Sequence, residues 1–487
     1  FAAFIDQLGI YGRGETLSQF DQVFNSQGGY GESLKLDNGT FAISPVPGSP
    51  DLTARQLCHG LQIDPQTYEY LARAVGGARS VTTNLTRDAQ TVSSFYRLVK
   101  LPRLLGITPI EGVLMLLSLG GNTWLNGLAG ETRINSATDS ESPPDVLDLM
   151  YAMHSCVAWC RERELPVQWV LQQVALTEAV VVHTAKEQQL SEQIHNLLPT
   201  AQLTNAAFVM AGESNFMRPD WLNLLANLVD PEGLVLPFQG TESEYLVTAR
   251  THLDNAVRDG LKESDEAVRA PIVESMLAVL LQFRDAQVSV AKECLAVYSQ
   301  LDAERALQVL FWVKGTVYQL LRQVLERREQ NLGDPATKPQ QSDPLLKLLA
   351  EVQRRSALVA KLDLSASVLE DYLYYGHLGW LGQADKHVLT LKTLYGLTVL
   401  TKAFESSEQP QSKLLDYLRQ VNALPPGLAG NALDLAQRAA AVRLAAFFDW
   451  SVQEVRECTS RIDPSQKLLK NLTQLDLLMR IRTLARQ

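Results

Sequence analysis

Apolar residues recur at alternating steps of three and four along almost the whole chain, the spacing that places them on one face of an α-helix. The pattern is clearest in the run Leu310, Val313, Val317, Leu320 and Val324. This run is too short for a coiled coil, so it predicts one long helix whose apolar face packs inside a bundle. The hydrophobic pattern therefore predicts an all-α fold.

A single segment near the N-terminus has the pattern of β-structure. Residues 34–36 and 40–43 are separated by Asp37-Asn38-Gly39, and Asn-Gly readily adopts the positive φ angles of a tight turn. We predict one small β-hairpin at 34–43, attached to an irregular multi-helix bundle.

Within the helical pattern, one local arrangement recurs five times. An apolar helix ends, one apolar residue and a capping residue follow, and a second amphipathic helix begins, which predicts repeated helix-turn-helix units. The five sites lie at 57–65, 104–109, 157–166, 362–365 and 447–451. Thr108 with Glu111, and Ser451 with Glu454, have the spacing of a capping box. The uneven spacing of the sites argues against a regular solenoid.

Proline and polar clusters at 44–50, 138–144 and 333–344 predict loops, with the main boundary at 333–344 and a weaker one near Pro199. We predict an N-terminal helical lobe at 1–180, a middle segment with long helices at 181–345 and a C-terminal lobe at 346–487. The chain begins at Phe1, and its helical pattern continues to the last residues, so we expect both ends to be cut and the C-terminal lobe to be truncated.

The composition disfavours several classes of function. There are 44 Lys and Arg residues against 54 Asp and Glu residues, a formal net charge of -10, whereas nucleic-acid binders concentrate positive charge. The most apolar stretches, such as 180–182 and 276–281, are too short to cross a bilayer. The five cysteines contain no CxxC motif and are expected to be buried thiols; they lie at 58, 156, 160, 294 and 458.

The sequence contains no nucleophile elbow, Walker loop, HExxH helix or EF-hand, which are motifs of common catalytic and ligand-binding sites. In the nearest approach to a dinucleotide loop, Gly12-Arg13-Gly14, Leu17 replaces the third glycine. The one mixed metal-ligand cluster is His154, Cys156 and Cys160, but His154 points away from the two cysteines on a helix. We predict no catalytic, cofactor-binding or metal-binding residues, no cofactor, and no enzyme activity.

Two further groups of residues have alternative interpretations. The acidic residues of 263–266 and 326–329 are either paired catalytic carboxylates or, as we favour, solvated helix faces. The aromatic residues around Gly376 and Gly379 form either a ligand platform or, as we favour, a helix end packed on the core; they are Tyr372, Tyr374, Tyr375 and Trp380.

Four passages have a more specific pattern. Residues 94–117 contain Tyr96-Arg97-Leu98 and then Leu104-Leu105-Gly106-Ile107-Thr108, and residues 443–455 contain Phe447-Phe448-Asp449-Trp450. With residues 20–43 and 472–486, they resemble the A component of the bacterial insecticidal toxin complexes, or Tc toxins, and related plasmid virulence proteins. Pro102 replaces a small helix former of that family, which predicts a kink or early break in its helix.

The resemblance implies an A subunit that forms a homopentamer, with an α-helical shell around a central channel. The toxin is secreted or at the bacterial cell surface, binds a host cell receptor through other domains, and passes a toxic enzyme carried by other toxin-complex components. This chain resembles the shell alone. We therefore expect a non-catalytic shell segment that protects a pore-forming translocation channel and helps to deliver it, while the role of 181–345 stays open.

Two other interpretations remain. The same helix pairs could form a free-standing scaffold that presents a groove to a partner protein, or the chain could be an enzyme with a different motif. The acidic balance also permits carboxylates at subunit contacts to control shell opening with pH.

Overall fold

The computed structural model describes residues 18–25, 32–46, 48, 51–135, 144–175, 184–208, 219–330 and 343–486. The chain divides into two compact units, Phe1–Leu176 and Thr177–Gln487. The predicted all-α fold class is confirmed, because the described residues form many helices and one small two-stranded antiparallel sheet. The three lobes stay a prediction. Most of the predicted loop at 333–344, and Gly12-Arg13-Gly14, lie outside the described residues.

The first unit contains seven helices and two strands within the described ranges. They are α1 (Gln19–Phe24), β1 (Thr40–Ala42), α2 (Leu52–Leu61), α3 (Pro65–Ala78), β2 (Asn84–Thr86), α4 (Ala89–Leu105), α5 (Pro109–Ala129), α6 (Val146–Glu162) and α7 (Val167–Val174). In its core the ring of Phe95 on α4 stacks on Tyr68 of α3 with centroids 5.6 Å apart. The Tyr68 hydroxyl donates to the carbonyl oxygen of Ala42, which joins the sheet to these helices.

The second unit continues the helical pattern. Its described helices are α8 (Ala185–Leu197), α9 (Trp221–Leu224), α10 (Glu242–Leu261), α11 (Glu266–Ser299), α12 (Ala303–Trp312), α13 (Val317–Gln330), α14 (Pro344–Leu362), α15 (Ala366–Asp371), α16 (His377–Gly379), α17 (Leu391–Glu405), α18 (Gln411–Asn422), α19 (Gly430–Phe448), α20 (Val452–Ile462) and α21 (Leu472–Arg486), with a π-helix at Tyr372–Gly376 and 3₁₀ turns at Leu198–Thr200 and Asn205–Phe208. Trp221, Leu253 and Leu280 belong to a buried cluster around α10 and α11.

The predicted hairpin at 34–43 is wrong in its pairing. The turn does form, with Asn38 at φ 60°, but strand β1 pairs with β2, so Phe41 lies opposite Leu85. The backbone N–H of Arg87 donates to the Gly39 carbonyl at 2.7 Å. Leu34 instead bonds to the side chain of Asn25. A distant strand has therefore replaced the local partner, and local sequence could not show this.

The single long helix predicted across 310–324 is also wrong. Helix α12 ends at Trp312, and α13 begins at Val317. Lys314 lies between them with φ 64°, and the hydroxyl of Thr316 caps α13 by accepting from the N–H of Gln319 at 3.0 Å. The apolar spacing runs across the break because both helices pack their apolar faces inward. Leu310, Leu320 and Val324 are all fully buried.

Pro102 does not end its helix early. Helix α4 continues past it to Leu105. Pro102 lacks the N–H that would bond to the carbonyl four residues earlier, but its own carbonyl still accepts from the N–H of Ile107 at the helix end. Among the described residues, no single helix is long and apolar enough to span a membrane. Helices α4 and α5 reach that length and apolar character only when taken together, and a bend of 93° separates them.

Candidate functional site

The feature that recurs through both units is a helix corner, by which we mean a left-handed residue followed by a residue whose N–H bonds to the carbonyl five positions earlier. This is the Schellman arrangement, which satisfies carbonyls at a helix end. Among the described residues, six such helix ends lead into a second helix and form the corners, while a seventh, at Ser80, leads into strand β2. The left-handed residues of the six corners are Gln62, Gly106, Glu164, Lys314, Asp363 and Asp449, with φ between 47° and 77°, and the bonds are 2.8–3.1 Å long.

All five predicted sites form such corners, and the sixth, at Lys314, was missed. The signal for it was present as Gly315-Thr316, a glycine at a helix end followed by a capping residue. The apolar residue after the left-handed position is mostly buried, as at Ile107, Leu165 and Leu364. Each corner therefore fixes both the end of one helix and its packing on the next.

The capping residues behave largely as predicted. Thr108 and Glu111 form the full reciprocal box. Ser451 accepts from the N–H of Glu454 at 3.2 Å, but the Glu454 carboxylate bonds to the Ser451 hydroxyl at 2.5 Å and not to its backbone. The second box is therefore only half formed.

Three corners are also held by an arginine from another helix. Arg103 of α4 donates to the carbonyl oxygens of Leu61 and Gln62, both at 2.6 Å. In the same way, Arg161 of α6 donates to Leu105. A cation beside the exposed carbonyls of a helix C-terminus also complements the helix dipole.

The third such bond lies in the second unit. Arg482 of α21 donates to the carbonyl oxygen of Phe448, and its guanidinium lies 5.5 Å from the centre of the Phe448 ring. These long-range bonds join consecutive helix pairs, and no local pattern in the sequence predicted them.

Arg97 has a related role inside the first unit. It is 3% exposed, and it donates to the carbonyl oxygens of Leu128 at 3.0 Å and Gly130 at 2.6 Å. Burial lowers the pKa of Arg97 to about 10, and the like charge of Arg79 adds to this, so the side chain stays cationic at neutral pH. Arg97 belongs to the Tyr96-Arg97-Leu98 passage, and its bonds hold the end of α5.

The residues considered for metal chemistry do not converge. Cys156 and Cys160 are buried on α6, whereas His154 is exposed. Within the described ranges, no group of three or more His, Cys, Asp or Glu side chains is placed to hold a metal ion.

The acidic groups take structural roles. Asp265 caps α11 by accepting from the N–H of Ala267 at 2.9 Å, and Glu326 pairs with Arg322 at 2.8 Å. Among the aromatic residues, Tyr372 and Trp380 are buried in the core, and the Tyr372 hydroxyl donates to the Lys386 carbonyl at 3.0 Å. Tyr374 alone of this group is largely exposed, at 83%.

No protein-family model matches the chain. The toxin subunit YenA1 of Yersinia entomophaga is 22% identical over 495 residues, an alignment that covers all of this chain. The cryo-EM structure of TcdA4 from Morganella morganii matches 99% of the chain with a TM-score of 0.56 and 12% identity. The resemblance to Tc toxin A-type components is confirmed. A second Tc structure, TcaA-TcaB of Yersinia pseudotuberculosis, has a TM-score of 0.49 over 95% of the chain at 13% identity.

These matches cover almost all of this chain but only part of each relative. The chain spans 40% of the toxin subunit YenA1, 16% of TcdA4 and 19% of TcaA-TcaB. At 12% identity, the likeness to TcdA4 concerns the fold.

Proposed function

We propose that this chain is a non-catalytic structural segment of the shell of a Tc toxin A subunit. The main support is the repeated corner, in a chain similar along its whole length to a toxin subunit. A wall that must keep its shape benefits from helix ends fixed by backbone bonds and by arginines such as Arg103 and Arg482.

In this proposal the parent protein is secreted or displayed at the bacterial cell surface, and it assembles as a homopentamer with other toxin-complex components. Its shell protects a pore-forming translocation channel and helps to deliver it. Other domains bind the host cell receptor, and this segment itself performs no catalysis.

Electron microscopy of the full-length parent protein tests the proposal. We expect a fivefold particle whose wall encloses a central channel. A short epitope tag inserted at Gly427, an exposed turn residue at φ 83°, lets an antibody fragment mark these residues, and we expect the mark on the wall. A monomer or dimer without a channel contradicts the proposal, as does a mark on the channel itself.

A helical interaction scaffold is the second candidate, and one observation favours it. Tyr374 and Leu378 lie about one turn apart and are 83% and 62% exposed, and exposed aromatic residues often anchor protein partners. Tight capture of one defined partner by the isolated chain, lost in Tyr374→Ala but kept in the exposed control Tyr151→Ala, would favour the scaffold over the shell.

A further inference from the structure

The first unit contains an open cavity of about 800 Å³ between the end of α3, the second half of α5 and the start of α6. Its lining includes Arg79 and Arg133, together with the neutral polar side chains Thr123 and Asn126. Glu131 is the one acidic residue in the described lining, and its side chain is exposed. The cavity is therefore polar and mainly cationic.

The guanidinium of Arg79 has an unusual environment. Its Nε and Nη2 atoms are buried, and no described residue accepts a hydrogen bond from either. Leaving buried donors without an acceptor is costly, and more so for a charged group. The guanidinium of Arg79 is therefore better suited to binding a ligand that accepts hydrogen bonds than to packing alone.

The atoms involved indicate which acceptor fits. Nε and Nη2 form the edge of a guanidinium that binds both oxygens of one carboxylate. Other arginines of this chain use that edge in this way, among them Arg87 with Asp37. Arg250 binds Glu274 at 2.6 and 3.2 Å, and Arg269 binds Asp254 at 2.8 and 3.3 Å.

The surrounding charge favours the same ligand. The like charge of Arg79 acts on the buried Arg97 and, after burial, helps to lower the pKa of Arg97. Arg133 adds a third positive charge at the exposed rim. An anion between these groups would relieve the repulsion between Arg79 and Arg97.

We propose that this cavity binds a carboxylate group, held side-on by Arg79. Protein atoms cover Nε and Nη2, so binding requires the Arg79 side chain to rotate about its own torsions into the space that it borders. The carboxylate comes either from a small polycarboxylate or from an acidic peptide segment, because both present the same group. The inference is independent of the shell function proposed above.

Isothermal titration calorimetry on the full chain at low salt tests this. The probes are citrate and a capped tetraglutamate peptide, and a capped tetraglutamine peptide is the neutral control. We expect saturable binding of a carboxylate probe. Saturation by citrate alone identifies a small-molecule site, and tighter binding of the glutamate peptide identifies a site for acidic polypeptide. If neither probe binds, or if the glutamine peptide binds equally well, the proposal is wrong.

Variants locate the binding. Arg79→Lys keeps the charge and the fold but loses the side-on geometry, so we expect affinity to fall about tenfold or more. Arg79→Gln should lose binding. The matched control is Arg73→Gln on α3, the helix that Arg79 directly follows. The exposed side chain of Arg73 pairs with Glu69, and this variant should bind as the unmodified chain does. Circular dichroism confirms folding, and equal affinity in Arg79→Lys and the unmodified chain would overturn the assignment.

Discussion

Arg97 donates a hydrogen bond to the carbonyl oxygen of Gly130 at 2.6 Å, 33 residues further along the chain. It also bonds to Leu128, so one buried cation satisfies two carbonyls at the end of α5. The end of that helix therefore depends on a side chain of α4 as well as on its own backbone.

Replacing Arg97 by methionine should destabilise the first unit. The change keeps apolar volume but leaves the carbonyls of Leu128 and Gly130 without their donor, at a cost of about 2–4 kcal/mol. Urea unfolding measures the loss, and hydrogen exchange should show faster opening at 128–130. Arg73→Met is the control, since its exposed pair with Glu69 should be worth less than about 1 kcal/mol. Equal effects of the two changes would show that the buried bonds contribute nothing.

Substitutions at the left-handed corner positions should act in opposite directions. Gly106→Ala places a Cβ at φ 77°, 2.7 Å from Nη2 of Arg161, and should cost about 1–2 kcal/mol. Gln62→Gly relieves a side chain held at φ 53° and should stabilise by about 0.5–1 kcal/mol. Thermal unfolding compares them. If both substitutions raised or both lowered the unfolding temperature, the left-handed backbone would not determine which residue is favoured at a corner.

Gln287 should be essential to the second unit. This buried side chain accepts from the N–H of Val235 and donates to the carbonyls of Ala201 and Gly233, at 2.9–3.0 Å. Gln287→Met removes three partners of buried backbone groups, so we expect a loss of about 3 kcal/mol in urea unfolding. Gln282→Met changes an exposed residue of the same helix and should stay within about 0.5 kcal/mol of the unmodified chain.

The stability of the second unit should fall on acidification because of His387. Burial lowers the pKa of His387 below its usual value, so the unfolded chain takes up this proton more readily than the folded one. The stability is fully present above the unfolded pKa of about 6.5 and is lost as the pH falls from there through the folded value.

The variant His387→Asn isolates this contribution. Its amide can donate to the Trp312 carbonyl, which lies 2.8 Å from the His387 Nδ1. Histidine usually changes its charge between about pH 7 and pH 5. Over that interval we expect the midpoint temperature of thermal unfolding to fall less in the variant than in the unmodified chain. An identical pH dependence in both proteins would exclude His387 as its source.

The sequence allowed the corners to be predicted because a corner is local. A left-handed position, an apolar residue and a cap lie within a few residues, as at Gly106, Ile107 and Thr108. The pairing of β1 with β2, the role of Arg97 and the bond from Arg482 to Phe448 could not be predicted, since each joins residues more than 30 positions apart. The break at Lys314 was not predicted, because the regular apolar spacing across it was given more weight than the local signal Gly315-Thr316.

Because of the corners, the length of one helix determines the direction of the helix that follows it. An α-helix turns by about 100° per residue, and a corner such as that at Gly106 fixes how the next helix leaves. Adding one residue to α4 would therefore swing α5 to another side of it, whereas adding three or four would nearly restore the original heading. Insertions that accumulate in related chains should accordingly fall in the loops, or in multiples of a helical turn.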